Sequence, residues 1–203
     1  MDGLEQVGNL PSTPILPPIA ARLTLKLLGW RLEGSVPAHP KYVLVGVPHT
    51  SNWDVPLFVL MTSSLGIKAY QLAKESLFRW PLAGLMRWLG MLPIDRSSSQ
   101  DYVQQFVNIV KRQDRLVLAV SPEGTRKWTD YWRSGFYYIA LGAEVPIALA
   151  FADYPTKVTG IGLTLEPSGD ILSDMEVVRA FYRDKRGKRP ENQGPIRVRT
   201  PGS

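Results

Sequence analysis

The sequence predicts one α/β domain, with a mixed or largely parallel sheet flanked by helices. Short apolar runs such as Lys41–Val47 and Leu116–Val120 alternate along the chain with longer segments whose apolar residues recur at helical spacing. This alternation is typical of sheets whose strands are connected by helices. A length of 203 residues and a hydrophobic fraction of 44% fit a single domain with a sizeable core.

The composition divides the chain into three parts. Residues 1–18 contain four prolines, and we expect them to form a flexible leader. They lack the basic and then apolar pattern of a signal peptide, which favours a cytoplasmic location. Residues 19–183 carry the alternating elements. Residues 184–203 are basic and rich in proline and glycine, which predicts a disordered tail.

In the first half of the domain, residues 19–32 carry leucines at helical spacing beside three basic residues, and they predict an amphipathic helix. The elements that follow are a strand at Lys41–Val47, a helix within residues 50–65, a strand at residues 67–72, and an aromatic-rich segment at residues 76–89.

In the second half, serines at positions 97–99 predict the N-terminal cap of a helix over residues 100–112. A pattern of Ser, two residues and then Glu at positions 173–176 predicts a capping box that opens the last helix. The other elements are an extended segment at residues 92–96, strands at Leu116–Val120, residues 145–151 and residues 157–165, and a helix at residues 136–142.

The charge and composition favour some partners and argue against some chemistries. The net charge of +6 favours anionic partners, including phosphorylated substrates, nucleic acid and anionic membrane surfaces. The chain has no cysteine, which excludes disulfides and thiolate catalysis, and its two histidines argue against a multi-histidine metal site. We therefore expect neither a metal nor a cofactor.

Two segments leave open whether the protein binds a membrane surface. The helix at residues 19–32 could pack on the domain, or it could lie in a bilayer interface with Trp30 at the headgroups. The segment at residues 76–89, with Trp80 and Trp88, could be buried or lie on lipid. The long apolar run at residues 136–152 contains Gly142, Glu144 and Pro146, and we interpret it as core.

The stretch from His49 to Asp54 is the first candidate for chemistry. His49 follows a predicted strand and Asp54 opens a predicted helix, so the turn between them lets the two side chains meet. A histidine held by a carboxylate is a tuned general base. Alternatively, Asp54 is an ordinary carboxylate at a helix start, with Pro56 in the first turn.

Other polar residues follow predicted strands in the same way. Arg96 follows a short extended segment, while Glu123 and Arg126 follow the strand Leu116–Val120. Because ligands of α/β sheets bind beyond the carboxyl ends of strands, these residues are predicted to converge on one site. A histidine base with two arginines suits an anionic acceptor that carries a hydroxyl group. Each could instead be a surface residue with a weak ion pair.

Four blocks in this order resemble the glycerolipid acyltransferases, which include the lysophosphatidic acid and glycerol-3-phosphate acyltransferases. The resemblance covers about residues 41–151. The matching blocks are His, four residues and Asp at 49–54, a glycine followed by Ile-Asp-Arg at 90–96, Pro-Glu-Gly-Thr-Arg at 122–126, and Val-Pro-Ile-Ala at 145–148. Ser121 replaces the usual Phe of the third block, and Leu149 replaces the second Pro of the fourth.

The resemblance implies an O-acyltransferase in which His49 is the general base and Asp54 orients it. It also implies that the acyl acceptor, a lysophospholipid or a related glycerol phosphate, contacts a second set of residues. The co-substrate would be acyl-CoA or acyl-carrier protein, and the enzyme would rest on an anionic membrane surface. The residues of that second set are Arg96, Glu123, Gly124, Thr125 and Arg126.

Two alternatives from other classes stand beside this interpretation. A serine-type lipid hydrolase lacks support, because the sequence has no Gly-x-Ser-x-Gly elbow and its second histidine, His39, lies in a proline-flanked turn. A non-catalytic nucleic-acid binder is suggested by charge alone, but the basic residues are scattered and no recognition motif is present.

Overall fold

The structure, a computed structural model, describes residues 15–74, 78, 83–88, 90–94 and 99–199. The described strands form one sheet of seven, in the order β1-β7-β6-β2-β5-β3-β4. The strands are β1 Arg31–Gly34, β2 Lys41–Val47, β3 Ala69–Lys74, β4 Met91–Ile94, β5 Leu116–Val120, β6 Ile147–Asp153 and β7 Val158–Leu165. The helices are α1 Pro18–Leu27, α2 Asp54–Ser64, α3 Ala83–Trp88, α4 Ser99–Arg112, α5 Gly135–Ala143 and α6 Ile171–Tyr182.

The sheet is mostly parallel, which confirms the predicted α/β class. Its neighbouring strands pair in parallel except for β6 and β7, which are antiparallel. Strand β2 lies at the centre and pairs in parallel with both β5 and β6. The carboxyl ends of these three strands therefore meet at one edge of the sheet.

The two faces of β2 pack into two different apolar layers, because successive side chains of a strand point to opposite faces. Val43, Val45 and Val47 belong to a cluster that includes side chains of α4, α5 and α6. Tyr42 and Leu44 belong to a second cluster, which includes Met61 of α2. Burial on both faces explains why β2 is an almost continuous apolar run.

The N-terminal helix is shorter than predicted. Helix α1 ends at Leu27, and Arg31–Gly34 is a strand that pairs with β7 rather than the last turn of a helix. The break comes at Gly29, whose φ of +77° lies in the left-handed region that favours glycine. Residues 15–17 precede the helix, and the rest of the predicted leader lies outside the described residues.

The last helix begins earlier than predicted, and a different residue caps it. The Asp170 side chain accepts hydrogen bonds from the backbone N–H groups of Leu172 and Ser173, so the capping box at 173–176 is wrong. Asp174 is buried instead, and its carboxylate accepts hydrogen bonds from Tyr137 and Ser168. A capping pattern in sequence does not reveal that an earlier residue, here Asp170, bonds to the N–H groups at the helix start.

The predicted disorder of residues 184–203 is wrong as far as residue 199. The backbone of Arg186 bonds to Asp153 and Tyr154 at the end of β6, and Val198 forms a β-bridge with Trp132. Hydrogen bonds and close backbone contacts, rather than apolar burial, hold the segment. Its low apolar content therefore did not predict that it is ordered. A Cβ atom at Gly194 would lie only 2.0 Å from the carbonyl oxygen of Thr129.

The described residues contain no helix that is both long and apolar enough to cross a membrane. Residues 75–77, 79–82, 89 and 95–98 are not described, so the prediction for the aromatic-rich segment is tested only at α3. There, Leu85 and Trp88 are exposed.

We expect Gly194→Ala to detach residues 185–199 from the domain. The new methyl group would overlap the Thr129 carbonyl, and such overpacking costs about 1–3 kcal/mol. Trypsin should then cleave at Lys185, Arg186 or Lys188 faster than in the wild-type protein. Gly84→Ala is the control, since a Cβ atom there meets nothing within 4 Å. Equal cleavage rates in both variants would contradict the conclusion that residues 185–199 pack against the domain at Gly194.

Candidate functional site

A large cleft opens at the edge of the sheet where β2, β5 and β6 end. Its volume is about 2380 Å³. Its lining includes the loop between β2 and α2, the loop after β5, residues of α2 and α5, and Arg189, Asn192 and Arg199 near the C-terminus. The cleft therefore lies where parallel α/β sheets bind their ligands.

His49 and Asp54 meet inside this cleft, as their spacing predicts. His49 follows β2, Asp54 is the first residue of α2, and the Nδ1 atom of His49 lies 3.3 Å from Oδ2 of Asp54. The His49 side chain is 23% exposed and that of Asp54 is 8% exposed. Nε2 of His49 has no hydrogen-bond partner among the described residues, so it can accept a proton from a ligand in the cleft.

Asp54 has more hydrogen-bond donors than a histidine partner alone supplies. Oδ2 accepts hydrogen bonds from the backbone N–H groups of Thr50 and Ser51, both at 2.7 Å. Oδ1 accepts a hydrogen bond from the Tyr154 hydroxyl at 2.6 Å. Burial raises the pKa of Asp54, but hydrogen bonds from His49, Tyr154 and the Ser51 N–H outweigh burial and hold the pKa below its usual range. Asp54 is thus a charged partner for His49 as well as a helix-start carboxylate.

Glu123 lies behind His49 rather than on the cleft wall. Its Oε2 atom accepts a hydrogen bond from the backbone N–H of His49 at 2.9 Å, and the residue is 7% exposed. Burial raises the pKa of Glu123 to about 8; the His49 N–H opposes this rise and the charge of Asp54 adds to it. This geometry favours a role in holding the His49 loop over the predicted contact with an acceptor.

Gly124, Thr125 and Arg126 are exposed and line the cleft, as predicted. The Arg126 guanidinium donates a short hydrogen bond to the side-chain oxygen of Asn52, which places a cation beside the turn between His49 and Asp54. Gly124 has a φ of +66°, and a Cβ atom there would lie 2.7 Å from Nε of Arg133. Glycine thus allows both the turn and the approach of Arg133.

Arg96 lies outside the described residues, so its predicted place in the site stays a prediction. Among the described residues, no group of three or more His, Cys, Asp or Glu side chains could hold a metal ion. Nor does any described serine bond to His49, and Oγ of Ser51 accepts a hydrogen bond from the Trp53 N–H instead. In the part of the site that the structure describes, a histidine thus lies near cations, and no serine nucleophile is in place.

Sequence reasoning missed two contributors to the site. Tyr154 follows β6, and the rule that located Glu123 at the end of β5 could have found it. The C-terminal residues Arg189, Asn192 and Arg199 also line the cleft. No local pattern marks them, because they follow α6 and reach the cleft by crossing the ends of other strands.

Comparisons with known proteins indicate the family and the fold of this chain. The sequence model of the acyltransferase family matches residues 31–149, which include His49, Asp54 and the loop from Glu123 to Arg126. The crystal structure of PlsC, a 1-acyl-sn-glycerophosphate (LPA) acyltransferase from Thermotoga maritima, aligns with a TM-score of 0.56 and 17% identity. The alignment covers 89% of this chain and 78% of that chain, and it shows a shared fold. No curated protein sequence matches significantly.

We expect Tyr154→Phe to destabilise the protein at neutral pH by about 1.5–3 kcal/mol, the usual value of a hydrogen bond to a charged group. The loss should shrink as the pH falls, because protonation of Asp54 removes the charge that the hydroxyl stabilises. Urea unfolding at pH 7 and at about pH 2 measures both effects; pH 4 is too high, because the pKa of Asp54 lies below its usual range. Tyr138→Phe is the control, since it removes a hydroxyl from an exposed tyrosine. A loss equal at both pH values would contradict the role of Tyr154.

Proposed function

This chain belongs to the acyltransferase family, and we propose that it transfers a fatty acyl group from a thioester to the hydroxyl group of a lysophospholipid or a related phosphorylated glycerolipid. The observation that supports this reaction best is the pair formed by Nδ1 of His49 and the charged Asp54 in the cleft. The donor is acyl-CoA or acyl-carrier protein.

In the proposed reaction, Nε2 of His49 removes the proton from the acceptor hydroxyl. The hydroxyl oxygen attacks the thioester carbonyl carbon and forms a tetrahedral intermediate. The carbon–sulfur bond then breaks, the ester remains, and the departing thiolate takes the proton from the imidazolium. Asp54 stabilises the imidazolium between these steps and keeps Nε2 free of its proton beforehand.

The shape and lining of the cleft support two large substrates. Small-molecule sites usually enclose about 300–1,000 Å³, whereas this cleft measures about 2380 Å³. Its lining includes the large apolar side chains of Trp53, Phe58 and Trp128, which suit a fatty acyl chain. Arg126 adds a cation beside the catalytic pair, where a phosphorylated acceptor needs one.

We also propose that the enzyme acts in the cytoplasm, bound peripherally to an anionic membrane through one face of α1. Ala21 and Leu25 of α1 are buried, whereas Ile19, Leu23 and Leu27 are 75%, 56% and 87% exposed. The exposed three recur every fourth residue and so form one apolar stripe. We call Ile19, Leu23 and Leu27 the α1 stripe.

Two contacts hold α1 and the residue Trp30 after it on the domain. The Arg22 side chain donates to the Ser64 carbonyl at the end of α2, which attaches α1 to the domain. Trp30 does not point towards headgroups, because its ring packs at 5.0 Å from the ring of Tyr154. The net charge of +6 adds an attraction to anionic lipid.

We expect His49→Ala to lower acyl transfer by about 10²–10⁴-fold, the usual contribution of a general base. Asp54→Asn should lower kcat more than it raises KM. The assay offers radiolabelled acyl-CoA or acyl-carrier protein against a panel of lysolipids and glycerol 3-phosphate. His39→Ala is the control, since His39 is half-exposed and lies 3.6 Å from Glu166. A folded His49→Ala protein with wild-type turnover would refute the mechanism.

The wild-type protein is expected to float with anionic liposomes and less with neutral ones. Replacing Leu23 and Leu27 by Ser should lower the bound fraction at least tenfold, since each buried leucine contributes about 1.5–3 kcal/mol. Replacing Leu172 and Val177 of α6, which are exposed to 54% and 43%, is the matched control. If both double variants float like the wild type, the α1 stripe is not the membrane contact.

A further inference from the structure

Residues 185–199, which we call the C-terminal strap, contribute Arg189, Asn192 and Arg199 to the lining of the cleft. The Arg189 N–H donates to Oγ1 of Thr50 at 3.1 Å, next to His49. A Cβ atom at Gly187 would lie 2.5 Å from the same Oγ1 atom, so only glycine fits there. The strap lies outside residues 31–149, the part of the chain that matches the family.

The strap brings cations to the turn between His49 and Asp54. Nζ of Lys188 lies 4.8 Å from the centre of the Trp53 ring, and the Arg189 backbone is bonded to Thr50. Arg126 reaches the same turn from the other side through Asn52. Arg189, Arg126 and Lys188 are thus in contact with Thr50, Asn52 and Trp53, which lie between His49 and Asp54.

These cations lack carboxylate partners in the part of the chain that the structure describes. Arg197 and Arg179 have ion pairs, with Asp130 and Glu176, but Lys188 and Arg189 have none with a described residue. The nearby carboxyl of Asp54 is buried and already accepts several hydrogen bonds. Arg189 lines the cleft, and Lys188 lies on the ring of Trp53, which also lines it, so the positive charge of both is available to a ligand there.

We propose that Lys188 and Arg189 bind the anionic phosphate headgroup of the acyl acceptor, together with Arg126. This inference rests on the proposed function, since the acceptor hydroxyl must reach Nε2 of His49. In a phosphorylated glycerolipid the phosphate lies only a few bonds from that hydroxyl, so cations around the same turn are suitably placed. The strap then makes the enzyme selective for phosphorylated over neutral acceptors.

Two other sources of phosphate could use these cations: the CoA portion of the donor and the headgroups of the bilayer. If Lys188 and Arg189 form an acceptor site, replacing them should weaken binding of the acceptor alone. A donor site would change binding of acyl-CoA, and a bilayer site would change binding to vesicles.

The test compares Lys188→Gln/Arg189→Gln with Arg112→Gln/Arg183→Gln. Both double variants remove two positive charges, but Lys188 and Arg189 contact Trp53 and Thr50 in the turn after His49, whereas Arg112 and Arg183 lie outside the cleft. Glutamine keeps the backbone N–H that bonds to Thr50, so the strap should stay docked, and an unchanged melting temperature checks this. All variants are also made in the His49→Ala background, in which binding can be measured without turnover.

The first readout is calorimetric binding of a short-chain lysophosphatidate, of palmitoyl-CoA and of a short-chain monoacylglycerol to the His49→Ala proteins. We expect the strap variant to bind lysophosphatidate about ten- to hundred-fold more weakly, as for lost hydrogen bonds to charged groups. Binding of the monoacylglycerol and of palmitoyl-CoA should change less than threefold. The second readout is the acyl-transfer assay, in which KM for lysophosphatidate should rise by a similar factor while kcat stays near the wild-type value.

Equal lysophosphatidate affinity in the strap and control variants would overturn the inference. So would a loss confined to palmitoyl-CoA, or a loss confined to flotation with phosphatidylserine vesicles. If the wild-type protein transfers no acyl group, the proposed function fails. The binding data still decide the inference in that case, because a selective loss of lysophosphatidate binding supports the strap site without any turnover.

Discussion

The buried negative charge of Asp54 is the constraint on which the site depends. A carboxylate that is 8% exposed needs several donors to remain charged, and it has four: Nδ1 of His49, the N–H groups of Thr50 and Ser51, and the Tyr154 hydroxyl. Two of these donors lie in the turn itself, so satisfying the charge also shapes the loop that carries His49. The shape of this loop and the proposed catalysis therefore depend on the same hydrogen bonds.

The topology of the sheet explains which other residues reach this charge. Strand β2 lies between β5 and β6, and all three run in the same direction. The residues that follow them, His49, Glu123 and Tyr154, therefore arrive together at one edge although they are far apart in sequence. Glu123 holds the backbone of His49 from the β5 side, and Tyr154 holds Asp54 from the β6 side. The Tyr182 hydroxyl bonds to carbonyl groups of β2 and β6 and joins these strands below the site.

The C-terminal strap shows how a segment with few apolar residues can be ordered. Its glycines come closest to the loops after β2 and β5, where any side chain would collide with Thr50 or with the backbone of Thr129. Its polar backbone groups bond to Asp153, Tyr154, Thr50 and Trp132. The composition that suggests a flexible tail is thus also the composition that close backbone contact requires.

The sequence by itself determined the α/β class, the bounds of β2 and β5, and the pairing of His49 with Asp54. These features depend on local periodicity or on a spacing of five residues across one turn, which a linear reading captures. Only the tertiary structure decided that Glu123 faces inwards, that Tyr154 holds Asp54, and that Arg189 stands beside Thr50. Those contacts join residues 74 to 139 positions apart, and the strand order that unites them is a property of the whole packed sheet.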